Sequence, residues 1–290
     1  MLDANTFSND NVINYIDKNF IPLKINAEGK YGSVLFEQFK GTGYPLLIFF
    51  DTHHNELERF YGYYPPNDFK KKLEQILKGE NTFPDLLARY QMGDQSAETM
   101  FSLAKKYFDR GDDGLASELF GQIIIHKDVS YNMFHQSKLS LGVIALNNNN
   151  LLLENYIKEY PNSHLIKDAV NYLLKYFNQH NLNIEELNYY NLYVEKFSND
   201  PWFLNQFAWR MTELNTNLEE ALTKINLSLS LIDGDQNRAM LYDTQAEIFW
   251  KIGQIDNAII AINKSIQMDP NNKYYKNQKN KFLEKNKDKE

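Results

Sequence analysis

The stretch Leu241-Tyr242-Asp243-Thr244-Gln245-Ala246-Glu247-Ile248-Phe249-Trp250-Lys251-Ile252-Gly253-Gln254-Ile255-Asp256-Asn257-Ala258 decides how most of this chain folds. Ala246 is followed by an aromatic three residues on, by a turn glycine seven on, and by Ala258 twelve on. Ala104, Tyr107, Gly111 and Ala116 repeat the same spacing. Ala208 and Ala221 repeat it one residue wider, across Asn215-Thr216-Asn217. Small residues at fixed positions let two antiparallel helices approach closely, and the aromatics fill the gaps between neighbouring hairpins. Two looser hairpins lie between, near 131–160 and 163–198. From about Ser96 onward the chain is therefore expected to be a helical repeat array.

The first 80 residues have a different apolar period. Val12, Ile13, Tyr15 and Ile16 sit at helical spacing behind a polar Ser8-Asn9-Asp10 cap. Phe20-Ile21-Pro22-Leu23-Lys24-Ile25-Asn26 is short and β-rich, so a strand is expected there. Tyr44-Pro45-Leu46-Leu47-Ile48-Phe49-Phe50 is a continuous apolar run, as expected of a fully buried central strand. A polar turn at Asp51–Glu56 and a returning strand at Leu57–Tyr64 complete a hairpin. Pro65-Pro66 then opens a helix carrying Phe69, Leu73, Ile76 and Leu77. The expected fold class is α/β followed by all-α. The domains are 1–80, a linker at 81–95, repeats at 96–278 and a charged, fraying tail at 279–290.

The 290 residues suffice for two cores, and 43% are hydrophobic. The formal net charge of -7 argues against nucleic acid, which needs a basic face. Lysines are scattered among acids, as in Lys70-Lys71-Lys72-Leu73-Glu74. No stretch approaches the length of a membrane-spanning helix. The cysteine count is zero, so this chain holds no disulfide, thiolate metal site or cysteine nucleophile. No phosphate-binding loop or nucleophile elbow is present, and no cofactor is expected.

The segment Leu241–Asn272 resembles a tetratricopeptide repeat, departing at Gln245 and Ser265. The first 80 residues resemble the thioredoxin-like superfamily, in the branch with a Cys-x-x-Cys-Lys ahead of a Met-Asp-x-x-Thr-Phe-like stretch. Leu2-Asp3-Ala4-Asn5-Thr6-Phe7 is similar to that stretch, and Gly43-Tyr44-Pro45 to the family's cis-proline turn. Arg59 and Gly62 fall in register with its hairpin, whereas His54-Asn55 replaces the usual turn glycine and Leu46 the usual Thr. The resemblance thus implies a partial thioredoxin-like fold plus a tetratricopeptide-like solenoid. It places the family's second cysteine two residues before Met1, with the first strand and Cys-x-x-Cys loop upstream. Either Met1 is an internal methionine or the segment has been lost. The first is preferred, because a sheet missing one strand keeps an unpaired edge. An upstream leader would make the protein periplasmic or otherwise exported, and a true start at Met1 would make it cytoplasmic. The parent function implied is thiol–disulfide exchange on a client protein or peptide, with a non-catalytic binding scaffold as the rival.

Tyr44 and Pro45 are the expected substrate-binding residues: the resemblance implies a cis peptide and a backbone contact from Tyr44 to the client. The plainer alternative is a proline that simply opens an inner strand. Asn205, Trp209, Asp243, Glu247 and Trp250 are expected to line the concave groove of the repeats, the alternative for both tryptophans being packing between hairpins. His53-His54 is a solvated turn rather than a metal site, and His126, His135, His164 and His180 fall on helix surfaces. Glu185-Glu186 and Glu219-Glu220 sit at helix starts, where the dipole favours them. Without a thiol to form a mixed disulfide, the purified chain is expected to show no insulin-reducing turnover above the dithiothreitol background.

Overall fold

The computed structural model describes residues 2–287, and for residues 235, 236 and 285–287 the backbone alone. A short helical turn, Leu2–Thr6, leads into α1 (Asp10–Asn19), α2 (Lys30–Gln38), β1 (Leu46–Phe50), β2 (Glu56–Tyr61) and α3 (Pro66–Lys78). Helices follow without further strands: α4 (Phe83–Gln91), α5 (Ala97–Asp109), α6 (Asp113–Ile123), α7 (Tyr131–Ala145) and α8 (Leu151–Glu159). Next come α9 (Ile166–Gln179), α10 (Asn183–Tyr193), α11 (Pro201–Leu214) and α12 (Leu218–Leu231). The last three are α13 (Asp235–Lys251), α14 (Ile255–Met268) and α15 (Lys273–Lys287). The chain is a two-stranded sheet with helices, then an all-α repeat region. It forms two compact units, Met1–Ala169 and Val170–Glu290.

In the first unit β1 and β2 pair antiparallel, with Leu47 opposite Phe60 and Ile48 opposite Arg59. The turn between them is closed by Asp51, whose Oδ1 accepts from the backbone N–H of His53 and Asn55, each at 2.8 Å. The N–H of Asn11 and Val12 donate to the Asn9 side chain, which caps α1. One sheet face is covered by α1 and α3: Val12, Phe60, Phe69, Leu73 and Ile76 are buried, with Leu47 and Phe49 packed against them.

Three expectations for this unit are corrected. Phe20–Asn26 forms no strand; it runs without a ladder, because strand structure needs a neighbour and none lies beside it among the described residues. β1 is not a buried central strand; its residues are half-buried and Phe50 is exposed, because its sheet ends after one partner. Residues 81–95 are not a plain linker. They contain α4, whose Phe83, Leu86, Leu87 and Tyr90 form an apolar stripe against Phe101, Ala104 and Phe120.

The sheet is fastened to the helices through charge. The Glu58 carboxylate pairs with the Lys106 ammonium. Glu56 pairs with Arg110 at 2.9 Å. Arg59 Nη1 donates to the carbonyls of Phe39 (2.7 Å) and Asp109 (3.3 Å), and Tyr61 donates to the latter at 3.2 Å. Arg59 and Glu58 are buried.

The hairpins follow the alanine spacing. Ala104, Ala116, Ala208, Ala221, Ala246 and Ala258 are all fully buried. The turn glycines Gly111 (φ 65°) and Gly253 (φ 85°) take the left-handed backbone that ends one helix and starts the next. In the wider hairpin Asn215 (φ 51°) and Asn217 (φ 49°) do the same work.

In the second unit Arg210 of α11 grips Glu186 of α10, with Nη2 to Oε2 at 2.8 Å and Nε to both carboxylate oxygens at 3.0 Å. Glu186 is 1% exposed, so its place in the first turn of α10 serves an ion pair rather than only the dipole. Glu186→Ala removes the buried partner of Arg210 and leaves its guanidinium to Glu213 (2.9 Å) and Asn183 (3.2 Å). It should cost roughly 2 kcal/mol, read as a lower denaturation midpoint at unchanged slope, with Glu186→Gln intermediate.

Candidate functional site

Two regions of the chain carry the residues expected to meet a partner, and each lies within one unit.

The first surrounds Tyr44-Pro45. Their peptide bond is cis. The Pro45 carbonyl accepts from Gly62 N–H at 3.0 Å, closing the open end of the hairpin. The Tyr44 ring stacks on Phe36 of α2, with centroids 4.6 Å apart, yet the residue is 60% exposed. In the same unit Phe20 meets Phe49 of β1 at 5.7 Å between ring centroids. Beyond Phe20 the chain carries Ile21, Leu23 and Ile25, which are 99%, 82% and 48% exposed. Among the described residues no hydrogen bond is made by the N–H of Ile21, Leu23, Lys24 or Ile25. The unit thus carries an apolar segment with free donors and a two-stranded sheet that ends at β1. The side chains here supply hydrogen-bonding and apolar contact but no thiol.

The second region lies on α11 and α13. Trp209 donates its Nε1–H to Glu213 on its own helix at 3.0 Å. Asn205 is half-buried, and its Oδ1 makes no hydrogen bond although water cannot reach it. Asp243, Glu247 and Trp250, expected to line the concave groove with packing as the alternative for the tryptophan, face α15. Lys281 of α15 binds Glu247 at 2.6 Å and lies 4.5 Å from the Trp250 ring centroid. Phe282 stacks obliquely on Trp250 at 5.7 Å and is fully buried. The tail 279–290, expected to fray as a capping helix, continues α15 as far as Lys287, with Phe282 buried at its apolar face; residues 288–290 lie outside the described residues. Burial raises the Asp243 carboxyl to about 7, against the opposing pull of its hydrogen bond to Tyr274.

His135 also departs from expectation. It is buried, its Nδ1 lies 3.1 Å from the Tyr156 hydroxyl, and that hydroxyl is 2.7 Å from Ser163 Oγ. Burial lowers its pKa first, and the neighbouring His164 lowers it further. A lone histidine in an apolar pattern gave no sign of this hydroxyl relay. His53 and His54 stay on the exposed hairpin turn, and no metal-binding cluster occurs among the described residues. No helix of the described residues is long and apolar enough to cross a membrane.

Residues 1–77 match the family model for a thioredoxin-like domain, so the N-terminal region is thioredoxin-like. The match ends just before the last residue of α3, where the sheet-bearing part gives way to helices. No curated protein matches the chain. The chain is similar to a solved structure titled MamA MSR-1 C2, at 14% identity over 60% of this chain and 97% of that one, with a TM-score of 0.44.

The packing of α13 against α15 sets two expectations. Trp250→Ala should lower the melting temperature, as removal of a packed aromatic costs about 3 kcal/mol or somewhat less at a half-buried site. Asp243 holds its proton more tightly folded than unfolded, so stability is lost as pH rises from about 4 to about 7. Asp243→Asn should therefore raise the melting temperature at pH 8 and leave it unchanged at pH 4.

Proposed function

We propose that the chain is a protein-interaction protein whose N-terminal region accepts an extended client segment beside Tyr44-Pro45. The observation that carries this reading is Phe20–Asn26: its alternating Ile21, Leu23 and Ile25 are solvent-exposed and its donors are free. Backbone pairing would supply affinity, and the alternating side chains would select an apolar partner strand. Tyr44 would bring its backbone and exposed ring to the same client. Among the helices, Asn205 and Trp209 remain as partner residues, since α15 covers Asp243, Glu247 and Trp250.

A finer reading is favoured by the family match: the client chemistry is thiol–disulfide exchange. In that chemistry a low-pKa thiolate attacks a client disulfide and forms a mixed disulfide. The chain has no cysteine, so the thiols would come from outside residues 1–290. The codons immediately upstream of Met1 test this point. An in-frame Cys-x-x-Cys-Lys, with insulin reduction by the extended protein, supports exchange; a stop codon or a cysteine-free frame leaves the binding reading alone.

Binding itself is tested by fluorescence polarisation with labelled peptides alternating Ile or Val with polar residues. Saturable binding is expected, weakened about tenfold or more by Leu23→Asp. That side chain is exposed, so its replacement should leave the melting temperature unchanged. Equal affinity in the wild type and Leu23→Asp would exclude this surface.

A further inference from the structure

A cavity of about 290 Å³ lies between β2, α3, α4 and α5. Lys72 of α3 and the Lys105-Lys106 pair of α5 meet there, although the sequence scatters them among acids. Glu58 neutralises Lys106 and also accepts from the Arg59 backbone N–H at 2.8 Å. Lys72 makes no ion pair among the described residues: its ammonium lies over the rings of Tyr64 (4.8 Å to the centroid) and Phe60 (5.2 Å), with the Glu58 and Asp109 carboxyl groups on the same cavity wall beyond ion-pair distance. Lys105 also forms no ion pair among the described residues and sits exposed near Phe101.

Ring faces attract a cation but accept few of its three N–H donors. A half-buried ammonium so placed is short of acceptors, and burial, followed by the nearby Lys106, depresses its pKa. Asp109 lines the same cavity but makes no ion pair with Lys72 among the described residues; burial raises its carboxyl, Lys105 and Lys106 lower it, and its backbone carbonyl is already taken by Arg59 and Tyr61. The volume is near the lower end for small-molecule pockets, roughly 300 Å³.

We propose that this cavity binds a small molecule through an oxyanion, a phosphate or carboxylate group held by Lys72 and Lys105. The two ammonium groups supply charge-assisted hydrogen bonds that no protein carboxylate now takes.

The test is calorimetric titration of the full chain with inorganic phosphate and, separately, with succinate, at ionic strength held constant with sodium chloride. Saturable one-site binding of at least one is expected, and which one binds identifies the oxyanion. Lys72→Met keeps the apolar stem against Tyr64 and should weaken binding about tenfold, the loss of one charge-assisted hydrogen bond. Lys105→Met should weaken it about threefold or more. Should Lys72→Met fail to fold, Lys105→Met carries the test, because that side chain is exposed. Lys70→Met is the control, as Lys70 faces Glu74 on its own helix and lies outside the cavity lining. Absence of saturable binding with both probes, or wild-type affinity in every foldable cavity variant, overturns the proposal.

Discussion

The charged contact between β2 and α5 is the constraint on which the first unit depends. A strand that buries Glu58 and Arg59 cannot sit on an apolar helix, since unpaired buried charge is costly. Lys106 answers Glu58 and the Asp109 carbonyl answers Arg59, while Arg110 pairs with Glu56 of the same strand. Arg59 also reaches the Phe39 carbonyl just after α2, so one guanidinium ties three parts of the chain. The α/β region and the first helical hairpins therefore form one cooperative body, where hydropathy had drawn a boundary near residue 80. Ionic contacts of this kind leave no apolar periodicity for a sequence to display.

What the sequence displayed well was helix-to-helix distance. An alanine repeated at twelve or thirteen residues, with Gly or Asn between, carries both the close approach and the left-handed turn. The α4 stripe was equally available at Phe83, Leu86, Leu87 and Tyr90, but Pro84 and the flanking turn residues masked it. Strand structure at Phe20–Asn26 was misjudged because a strand belongs to a pair and not to a segment. The apolar run of β1 was sound as a strand and unsound as a measure of burial, for the same reason. Trp250, Asp243 and Glu247 were read as a surface because their helix was known and the cover over them was not. Nothing in the composition of α15, with its many lysines, advertises that Phe282 closes a core.

The two units thus use the same currency differently. In the first, charges lock a sheet onto helices; in the second, Glu186 and Arg210 lock helix to helix, while Lys281 and Glu247 fasten the last helix down. The thioredoxin-like region holds a hairpin, a cis Tyr44-Pro45 turn and flanking helices, and no cysteine.

Phe20–Asn26 has one more consequence, for the behaviour of the chain in concentrated solution. An extended run with Ile21, Leu23 and Ile25 bare to water is as welcoming to another copy of itself as to a client. Proline and lysine within such a run act as gatekeepers against stacking, and Pro22 and Lys24 occupy the intervening positions. Lys24, however, is bound to Asp3 at 2.7 Å, so its repulsive charge is partly cancelled. That pair is exposed and weakened by salt. Salt would free Lys24 from Asp3 and at the same time screen its repulsion of a neighbouring copy. Self-association of the chain through this apolar run thus depends on one lysine and one aspartate beside it as well as on the net charge.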